Sequence, residues 1–222
     1  MSFFNYIWEI LPALAEGVKI TMIMTATSMG LAAALAVIIA LGKLYGPKPV
    51  QAFCSFYIEL FRGTPLLVQL FIIYYGLPEI GLNFSSLIAA IVGFGLNSGA
   101  YQAEYLRGAI QSIKKGQLRA ARSVGMSFLE SLRTIVLPQA FRRVIPSWSN
   151  DVIYTLKYTS VAFMIGAQEL TSIAKIISGR YFRFADTFIV VGAIYLILVY
   201  IFSKSVDKLE ENLRIPGFEM RD

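Results

Sequence analysis

The sequence predicts an all-α polytopic membrane protein, a bundle of about five transmembrane helices. Its 222 residues are 56% hydrophobic and 15% charged, and the mean hydropathy is +0.62. Soluble domains are about a quarter charged, and one of this length keeps roughly a quarter to a third of its unfolded surface in water. Lipid is therefore the better solvent for this chain, and we expect residues 1–222 to form a single membrane domain.

Long uncharged runs predict the first, third and fifth spans. At ~1.5 Å rise per residue, such runs approach or exceed the ~30 Å thickness of a hydrocarbon core. They lie at residues 21–42, 80–103 and 187–203. The two remaining predicted spans carry charged side chains and lie at residues 52–77 and 144–174. Stretches rich in glycine, proline or charged residues predict the loops between spans, which lie at residues 42–49, 76–81 and 178–186.

The distribution of lysine and arginine predicts that the N-terminus lies outside and the C-terminus in the cytoplasm. Short cytoplasmic loops of membrane proteins are enriched in these residues. With this orientation, the inner segments 42–51, 107–143 and 204–222 hold 14 of the 20 lysines and arginines, and the outer segments hold three. The net charge of +6 therefore indicates contact with a membrane surface, and we expect no nucleic acid partner.

Two residue types exclude several kinds of chemistry. The chain has no histidine and a single cysteine, Cys54. With one cysteine, no intrachain disulfide can form. Without histidine, the Ser-His-Asp triad and most zinc sites cannot form. The phosphate-binding pattern G-x4-G-K-[ST] is also missing from the sequence. We therefore expect no catalytic residue, no metal site and no ATP hydrolysis by this chain.

Residues 107–143 form the most basic segment, with eight lysines and arginines against one acid, Glu130. Small and apolar residues recur there at helical spacing, which predicts a short amphipathic helix of about two turns between Gly116 and Gly125. This stripe consists of Leu118, Ala121, Val124 and Gly125. One interpretation is a basic loop attracted to anionic lipid at ~1 kcal/mol per cation. The other is a docking helix whose stripe enters a groove on a cytoplasmic partner.

The internal spacing of this segment favours the docking helix. The letters R-A-A at 119–121 are followed after three residues by Gly125, and after nine more by I-V-L-P at 135–138. This resembles the E-A-A-x3-G-x9-I-x-L-P loop of binding-protein-dependent ABC permeases, with an arginine where the family usually has Glu. The resemblance implies a coupling helix within residues 112–138 that fits a groove on an ATPase, with Pro138 ending the segment before span four. The implied coupling residues are Arg119, Ala120, Ala121, Arg122, Gly125 and Pro138.

Three further stretches are similar to the polar amino acid permeases, the histidine/glutamine branch of that family. They are FRGTPLLVQLF at 61–71, NSGAYQAEYLRGAIQ at 97–111 and PQAFR at 138–142. The resemblance implies a type I ABC importer permease in a prokaryotic inner membrane, a polar amino acid as solute, and no cofactor on this chain. It also implies a second permease subunit, identical or paralogous, two ATPase subunits that hold ATP and Mg, and an extracytoplasmic solute-binding protein.

The second predicted span contains the first group of candidate solute-path residues. Glu59 and Arg62 are three residues apart and can pair on a helix, either as a structural pair or as part of the path. Pro65 removes a backbone donor and is expected to break the helix, which frees carbonyl oxygens near Phe61. Many transporters present polar backbone to their solutes at such breaks. The candidates in this span are Arg62, Gly63, Thr64 and Gln69.

The fourth predicted span contains the second group. Asn150, Tyr154 and Lys157 are spaced to share one helical face. We expect Lys157 either to attract a solute carboxylate or to neutralise Asp151. Tyr158 stands where the resembling family commonly has Asp, which argues against a cationic solute. The candidates in this span are Asn150, Lys157 and Tyr158.

Two other functional classes compete with an ABC permease. A membrane enzyme would have to rely on Asp151 and Glu59, which no recognised spacing links. An ion-coupled transporter that works without ATP favours inverted repeats, and the sequence has no clear internal repeat. Both classes are therefore weaker interpretations of this sequence.

Overall fold

The structure is a computed structural model that describes residues 2–213 of the chain. Four side chains inside this range are not described, those of Lys115, Glu210, Asn212 and Leu213. Arg214 and Arg221, two of the cations counted for the inner segments, lie outside the described residues. The regular secondary structure between residues 2 and 213 is helical throughout.

The first helix, α1, is the element against which most others pack. It spans Phe3–Tyr45, and its 43 residues give a length of about 65 Å. This is twice the length of the predicted span at residues 21–42, which lies inside it. The hydroxyl of Ser2 caps the first turn by accepting a hydrogen bond from the backbone N–H of Asn5 at 3.4 Å. The sequence did not predict the N-terminal half of this helix, because Glu9, Glu16 and Lys19 interrupt the apolar pattern.

The second predicted span is broken near its middle. α2 spans Lys48–Gly63 and α3 spans Leu66–Phe71. The chain bends by 107° between α2 and the segment Leu66–Ile80. Pro65, which has no backbone N–H, stands directly before α3, as the sequence predicted.

Two unusual helical turns connect α3 to the next long helix. A π-helical turn covers Ile72–Gly76 and a 3-10 turn covers Leu77–Ile80. Gly81 follows with a φ of 85°, a left-handed conformation that glycine adopts without strain. α4 then spans Ser86–Gln111 and is capped by Ser85. It begins six residues later than predicted because Ile80 ends the 3-10 turn and residues 81–85 connect that turn to α4.

α4 lies at the centre of the bundle, and its contact with α1 is the most extensive among the described elements. A Cβ added at Gly95 would lie 2.5 Å from the Leu31 side chain, and one at Gly99 would lie 3.2 Å from Leu35. Small residues at such crossings let helix backbones approach closely in membranes. The small buried residues of α4 are Ala89, Ala90, Gly93, Gly95, Ser98, Gly99, Ala100 and Ala103.

A basic helix and a continuous helical rod follow α4. α5 spans Lys115–Ser123, which confirms the predicted short helix. The rod consists of α6 at Phe128–Ser131, a π-helical turn at Leu132–Val136 and α7 at Leu137–Tyr158. Pro138 lies in the first turn of α7, and the helical rod does not break at it. The π-helical turn shifts the hydrogen-bond register where the proline donor is missing, and the helix continues.

The fourth predicted span also divides into two helices. A 3-10 segment at Thr159–Ile165 ends the rod, and after a bend of 53° the chain continues as α8 at Leu170–Tyr181. Glu169 lies at this bend and caps α8. Its carboxylate accepts hydrogen bonds from the backbone N–H groups of Thr171 and Ser172, both at 2.8 Å. A fully buried carboxylate is thus satisfied by the start of a helix.

Five helical segments fit the predicted number of spans. α9 covers Phe184–Leu213, and length and composition allow α1 and the Phe184–Leu209 part of α9 to cross a membrane. Two bent pairs pass the same test as broken spans: α2 with the segment that ends at Ile80, and the rod with α8. α4, with 26 residues, is about 39 Å long. The described residues are therefore consistent with a bundle of about five spans.

Three apolar clusters hold these helices together, and α1 contributes to each. The cluster nearest α5 joins α1, α2, α4 and α7 around Leu106. The middle cluster joins α1, α3 and α4 around Leu70. The third joins the N-terminal part of α1 to α8 and α9 around Leu14. Each of these three leucines is fully buried, so close packing extends along the whole of α1.

The crossing of α1 and α8 sets a strict size limit at Gly17. A Cβ there would lie 2.8 Å from the Cα of Leu170, so Gly17→Ala must push the helices apart at an expected cost of about 1–3 kcal/mol. Gly30→Ala on the same helix is the matched control, since nothing lies within 4 Å of its added Cβ. Thermal unfolding in detergent should show a lower midpoint for Gly17→Ala only. Equal midpoints for the two variants would contradict the close crossing.

Candidate solute path and coupling surface

The break between α2 and α3 is held by two amide side chains. The Nε2 of Gln69 donates to the carbonyl oxygens of Phe61 at 2.9 Å and Thr64 at 3.0 Å. The Nδ2 of Asn97 on α4 donates to the same Phe61 oxygen at 2.9 Å and to the Gln69 Oε1 at 3.0 Å. Inside a membrane, carbonyl groups freed by a proline must be satisfied by the protein itself. These amides supply the missing donors.

This arrangement changes the role of one predicted path residue. The sequence predicts that the carbonyls near Phe61 are free to face a solute, whereas Gln69 and Asn97 occupy the Phe61 oxygen. Gln69 is only 6% exposed, so it supports the break from behind. Gly63 and Thr64 at the break are exposed. The open side of the break is therefore formed by these two residues.

Arg62 lies beside the break and is exposed. Its guanidinium carbon lies 5.1 Å from the ring centroid of Tyr101 on α4, a distance typical of a cation–π contact. The ion pairs among the described residues involve other groups. The predicted pair of Arg62 with Glu59 is therefore wrong, because Arg62 turns across to α4 instead of along its own helix.

The charged side chains of α7 have separate partners. The Nε2 of Gln102 donates to the Asp151 carboxylate at 2.8 Å. The Nζ of Lys157 lies 4.7 Å from the ring centroid of Tyr154, and that ring stacks on Tyr158 with centroids 6.4 Å apart. Lys157 therefore does not neutralise Asp151, which leaves its other predicted role, attraction of a carboxylate.

The exposed residues of α7 are those whose spacing predicted a common helical face. Polar residues of α4, which the sequence did not predict as part of the site, lie beside them. Asn150, Tyr154, Lys157 and Tyr158 are all exposed. The missed residues are Asn97, Tyr101, Gln102 and Tyr105. A signal for three of them was available, since the polar groups at 97, 101 and 105 recur every four residues and therefore share one helical face.

At the other end of α4, α5 ends in a cap that depends on glycine. Gly125 has a φ of 91°. Its N–H donates to the Arg122 carbonyl at 3.1 Å, and the Met126 N–H donates to the Ala121 carbonyl at 3.2 Å. These two bonds form a Schellman motif, in which the residue after the helix is left-handed. Backbone geometry therefore requires Gly125, which the sequence predicts both as the end of the short helix and as a small contact residue.

The two faces of α5 differ in exposure. Ala121 is 4% exposed, and Leu118 packs on the apolar cluster around Leu106. The exposed residues of α5 and its cap are Gly116, Gln117, Arg119, Ala120, Arg122, Ser123, Val124 and Gly125. The predicted apolar stripe therefore divides, because its first half anchors the helix to the bundle. The outward surface is basic and ends at Val124, which is 79% exposed.

Two side-chain hydrogen bonds tie the region around α5 to α7. The Nε2 of Gln139 on α7 donates to the Oε1 of Gln117 on α5 at 2.7 Å. The Nη1 of Arg143 on α7 donates to the Oγ of Ser112 at 2.6 Å. Ser112 directly follows the last residue of α4. These bonds connect α5 to α7 and the end of α4 to α7.

An ion cluster at the same end joins α1 to α4. The Glu104 carboxylate pairs with Lys43 of α1 and with Arg107, each at 2.8 Å. The Tyr45 ring at the end of α1 lies edge-on to Phe128 of α6, with centroids 5.2 Å apart. The three helices that approach α5 are therefore held in one arrangement.

These features define a membrane transport component. A broken helix exposes polar groups beside charged side chains within the bundle, and a separately capped basic helix lies at one end. Among the described residues, no group of three or more His, Cys, Asp or Glu side chains is placed to hold a metal ion.

Comparison with known proteins identifies the family. The profile of the family described as "binding-protein-dependent transport system inner membrane component" matches residues 32–214. The chain belongs to this family. It is the transmembrane, non-catalytic subunit of an ATP-binding-cassette transporter, in which a separate subunit hydrolyses ATP.

Named relatives cover most of the chain. The probable amino-acid ABC transporter permease protein YckA of Bacillus subtilis is 39% identical over 84% of this chain and 83% of its own length. The octopine transport system permease protein OccM of Rhizobium radiobacter is 37% identical over 92% and 87%. The glutamine transport system permease protein GlnP of Escherichia coli is 34% identical over 94% and 96%.

Solved structures share the fold. A chain in the crystal structure of an amino acid ABC transporter with histidines has a TM-score of 0.88 at 34% identity, covering 96% of this chain and 99% of that chain. A chain of the inward-facing MetNI methionine ABC transporter has a TM-score of 0.78 at 20% identity, covering 93% and 99%, and supports the fold alone. The predicted all-α permease fold and the predicted family are confirmed.

Family membership also indicates the membrane in which the chain lies and the kinds of subunit with which it assembles. It is an inner-membrane protein whose partners are an ATPase subunit, a permease subunit and a binding protein. A permease subunit of this family carries no cofactor of its own.

The amides at the break should matter for stability. Gln69→Leu removes the side-chain donor of the Thr64 carbonyl and one of the two acceptors of the Asn97 amide, which still donates to Phe61. A buried unsatisfied group costs about 1–3 kcal/mol. Gln51→Leu is the matched control, because Gln51 also donates to a freed carbonyl, that of Gly46 at 2.8 Å, but at an exposed position. Thermal unfolding in detergent should show a clear loss for Gln69→Leu and little change for Gln51→Leu. Similar midpoints would mean that the amides do not hold the break.

Proposed function

We propose that this chain is the permease subunit of an ABC importer for a polar amino acid. The observation that carries the proposal is α5, a short basic helix with its own cap, tied by Gln139 to α7 and followed by the α6–α7 rod. Such a helix can pass the motion of a soluble ATPase to the bundle. The names of the aligned relatives, which include amino-acid, glutamine and octopine permeases, support an amino acid or amino acid derivative as solute.

The proposed solute path lies beside the broken helix. Its lining comprises Arg62, Gly63 and Thr64 at the break and three exposed residues of α7, which are Asn150, Lys157 and Tyr158. Exposed cations at membrane depth are costly unless they face a cavity or a charged partner, which supports their role in solute passage. Gln69 contributes by holding the break open and not by solute contact.

The proposed coupling surface is the outward face of α5. Arg119, Ala120 and Arg122 contact the ATPase, and Gly125 sets the angle at which the chain leaves the helix. Ala121 acts indirectly by anchoring α5 to the bundle. Because Arg119 is a cation where the family usually has Glu, its partner on the ATPase is an acid or a backbone carbonyl. Pro138 belongs to the rod that carries the motion onward.

The proposed assembly places this single domain, residues 1–222, in a symmetric or paralogous permease pair above two ATPase subunits that bind ATP and Mg. The N-terminus faces outward, where the solute-binding protein delivers the amino acid, and the C-terminus faces the cytoplasm. The basic character of the α5 end, with Arg119, Arg122 and Arg133 exposed, supports this orientation.

Crosslinking tests the coupling surface directly. In a Cys54→Ser background, Ala120→Cys should crosslink to the ATPase subunit in membranes of the assembled complex, because Ala120 is exposed. Ala121→Cys is the control, since the neighbouring side chain is 4% exposed and turned inward. Capture from position 121 but not from 120, or labelling of position 120 from outside sealed cells, would overturn the proposal.

The glycine cap predicts a graded effect on uptake. A non-glycine residue in the left-handed conformation costs about 1–2 kcal/mol, so Gly125→Val should reduce ATP-driven uptake in proteoliposomes by about five- to thirtyfold. Gly125→Asn should keep more activity, because asparagine enters this conformation more readily. Gly116→Val is the control, since Gly116 lies in the first turn of α5, has no positive φ and has open space around it. Equal uptake by all three variants would contradict a role for the cap.

A further inference from the structure

A cavity of about 350 Å³ lies where α1, α4, α7 and α9 meet, and we call it the four-helix cavity. Its volume falls within the range of small-molecule pockets, about 300–1,000 Å³. Each helix contributes to the wall: Gly30 from α1, Gln102 from α4, Ser149 from α7 and Leu209 from α9. The wall is mostly apolar and includes no charged side chain.

The four-helix cavity and the proposed solute path lie on opposite sides of α7. Ile145, Ser149 and Val152 line the cavity and are spaced to share one helical face. Tyr154 is nine residues from Ile145, which places it about 180° away around the helix axis. Lys157 shares the exposed side with Tyr154. The cavity is therefore a separate site.

The cavity opens between two helices that can cross a membrane. Gly30 of α1 is exposed, and Leu209 of α9 is 47% exposed. Leu209 is also the last residue of the part of α9 that is apolar enough to span. A Cβ added at Gly30 would have nothing within 4 Å, so the opening is not closed from the α1 side. A lipid can therefore enter it sideways from the bilayer.

Two buried polar groups in the wall have no partner among the described residues. Ser149 is 8% exposed, and its hydroxyl, which can both donate and accept, makes no hydrogen bond with another described residue. Gln102 is 2% exposed. Its Nε2 donates to Asp151 at 2.8 Å and to the Met29 sulfur at 3.5 Å, which fixes the amide orientation and leaves Oε1 without a donor.

These groups define the chemistry that the cavity recognises. Buried polar groups in proteins are normally hydrogen-bonded, and a ligand hydroxyl can accept from Ser149 and donate to an acceptor in the same wall. The apolar remainder of the wall, with the ring of Trp148, suits a hydrocarbon chain. A charged head group would lose its hydration there without meeting an opposite charge.

We propose that the four-helix cavity binds a lipid from the surrounding bilayer that has an uncharged hydroxyl head. The hydroxyl binds at Ser149 and Gln102, and the chain leaves between Gly30 and Leu209. The occupant contacts all four helices at once and so stabilises the packing of α9, little of which is buried within its spanning part. The inference goes beyond the proposed function and is independent of the solute that is carried.

Fluorescence quenching tests the site in the full-length chain. The chain has two tryptophans, Trp8 and Trp148, so Trp8→Phe leaves a single fluorophore in the cavity wall. The probes are 8-bromo-1-octanol and 1-bromononane, which differ by a hydroxyl in place of a methyl group and quench through bromine. In detergent micelles the alcohol should reach half-maximal quenching at a mole fraction about fivefold lower, the ratio for about one net hydrogen bond.

Two variants in this background separate the head from the chain. Ser149→Ala removes a hydroxyl that bonds to no other described residue, and it should bring the two probes within about twofold of each other. Gly30→Leu fills the opening and should weaken quenching by both probes at least tenfold. Gly192→Leu is the matched control, because Gly192 is an exposed glycine of α9 with open space around it and lies outside the cavity wall.

Each contrary outcome points to a different occupant. Equal quenching by the two probes before any cavity substitution would show that no hydroxyl is recognised, as for a groove that holds only water or detergent chains. Quenching that survives Gly30→Leu would show that the probes reach Trp148 by another route. Quenching that disappears when two permease chains pair would show that a second copy covers the opening. Any of these results would overturn the inference.

Discussion

The whole arrangement depends on one requirement, that a backbone interrupted inside a membrane must find its hydrogen-bond partners within the protein. Pro65 interrupts α2 and α3, and the amides of Gln69 and Asn97 meet the requirement at the Phe61 and Thr64 oxygens. This positions Arg62 next to α4. The amides of Gln69 and Asn97 satisfy the carbonyl groups at the break from the buried side. Gly63 and Thr64 form the exposed side.

Backbone requirements also explain part of the R-A-A-x3-G segment at residues 119–125. Small residues in a sequence pattern indicate a contact surface, yet here they have three different tasks. Ala120 is exposed, Ala121 is buried against the bundle, and Gly125 ends the helix in a left-handed conformation. The segment that we propose as the coupling surface thus also determines how its own helix is anchored to the bundle and where it ends.

Much of the fold was predictable from the sequence, and the misses have physical causes. Apolar runs revealed the spans, and Pro65 revealed the break. The length of α1 was hidden because Glu9, Glu16 and Lys19 are tolerated on its exposed side. The partners of Arg62 and Lys157 were not predictable, because cation–π contacts join residues of different helices or compete with ion pairs of similar spacing. The continuity of the rod through Pro138 depended on a π-helical turn that leaves no mark in the sequence.

α1 belongs to all three apolar clusters, and this ties distant parts of the molecule together mechanically. Over a length of about 65 Å, each degree of tilt of α1 corresponds to about 1 Å of displacement at its far end. Lys43 and Tyr45 at one tip contact the helices beside α5, while Tyr6 near the other tip bonds to Thr187 at 2.6 Å. A small rotation at the end of α1 near α5 therefore corresponds to a displacement of about an ångström per degree at the end near Tyr6.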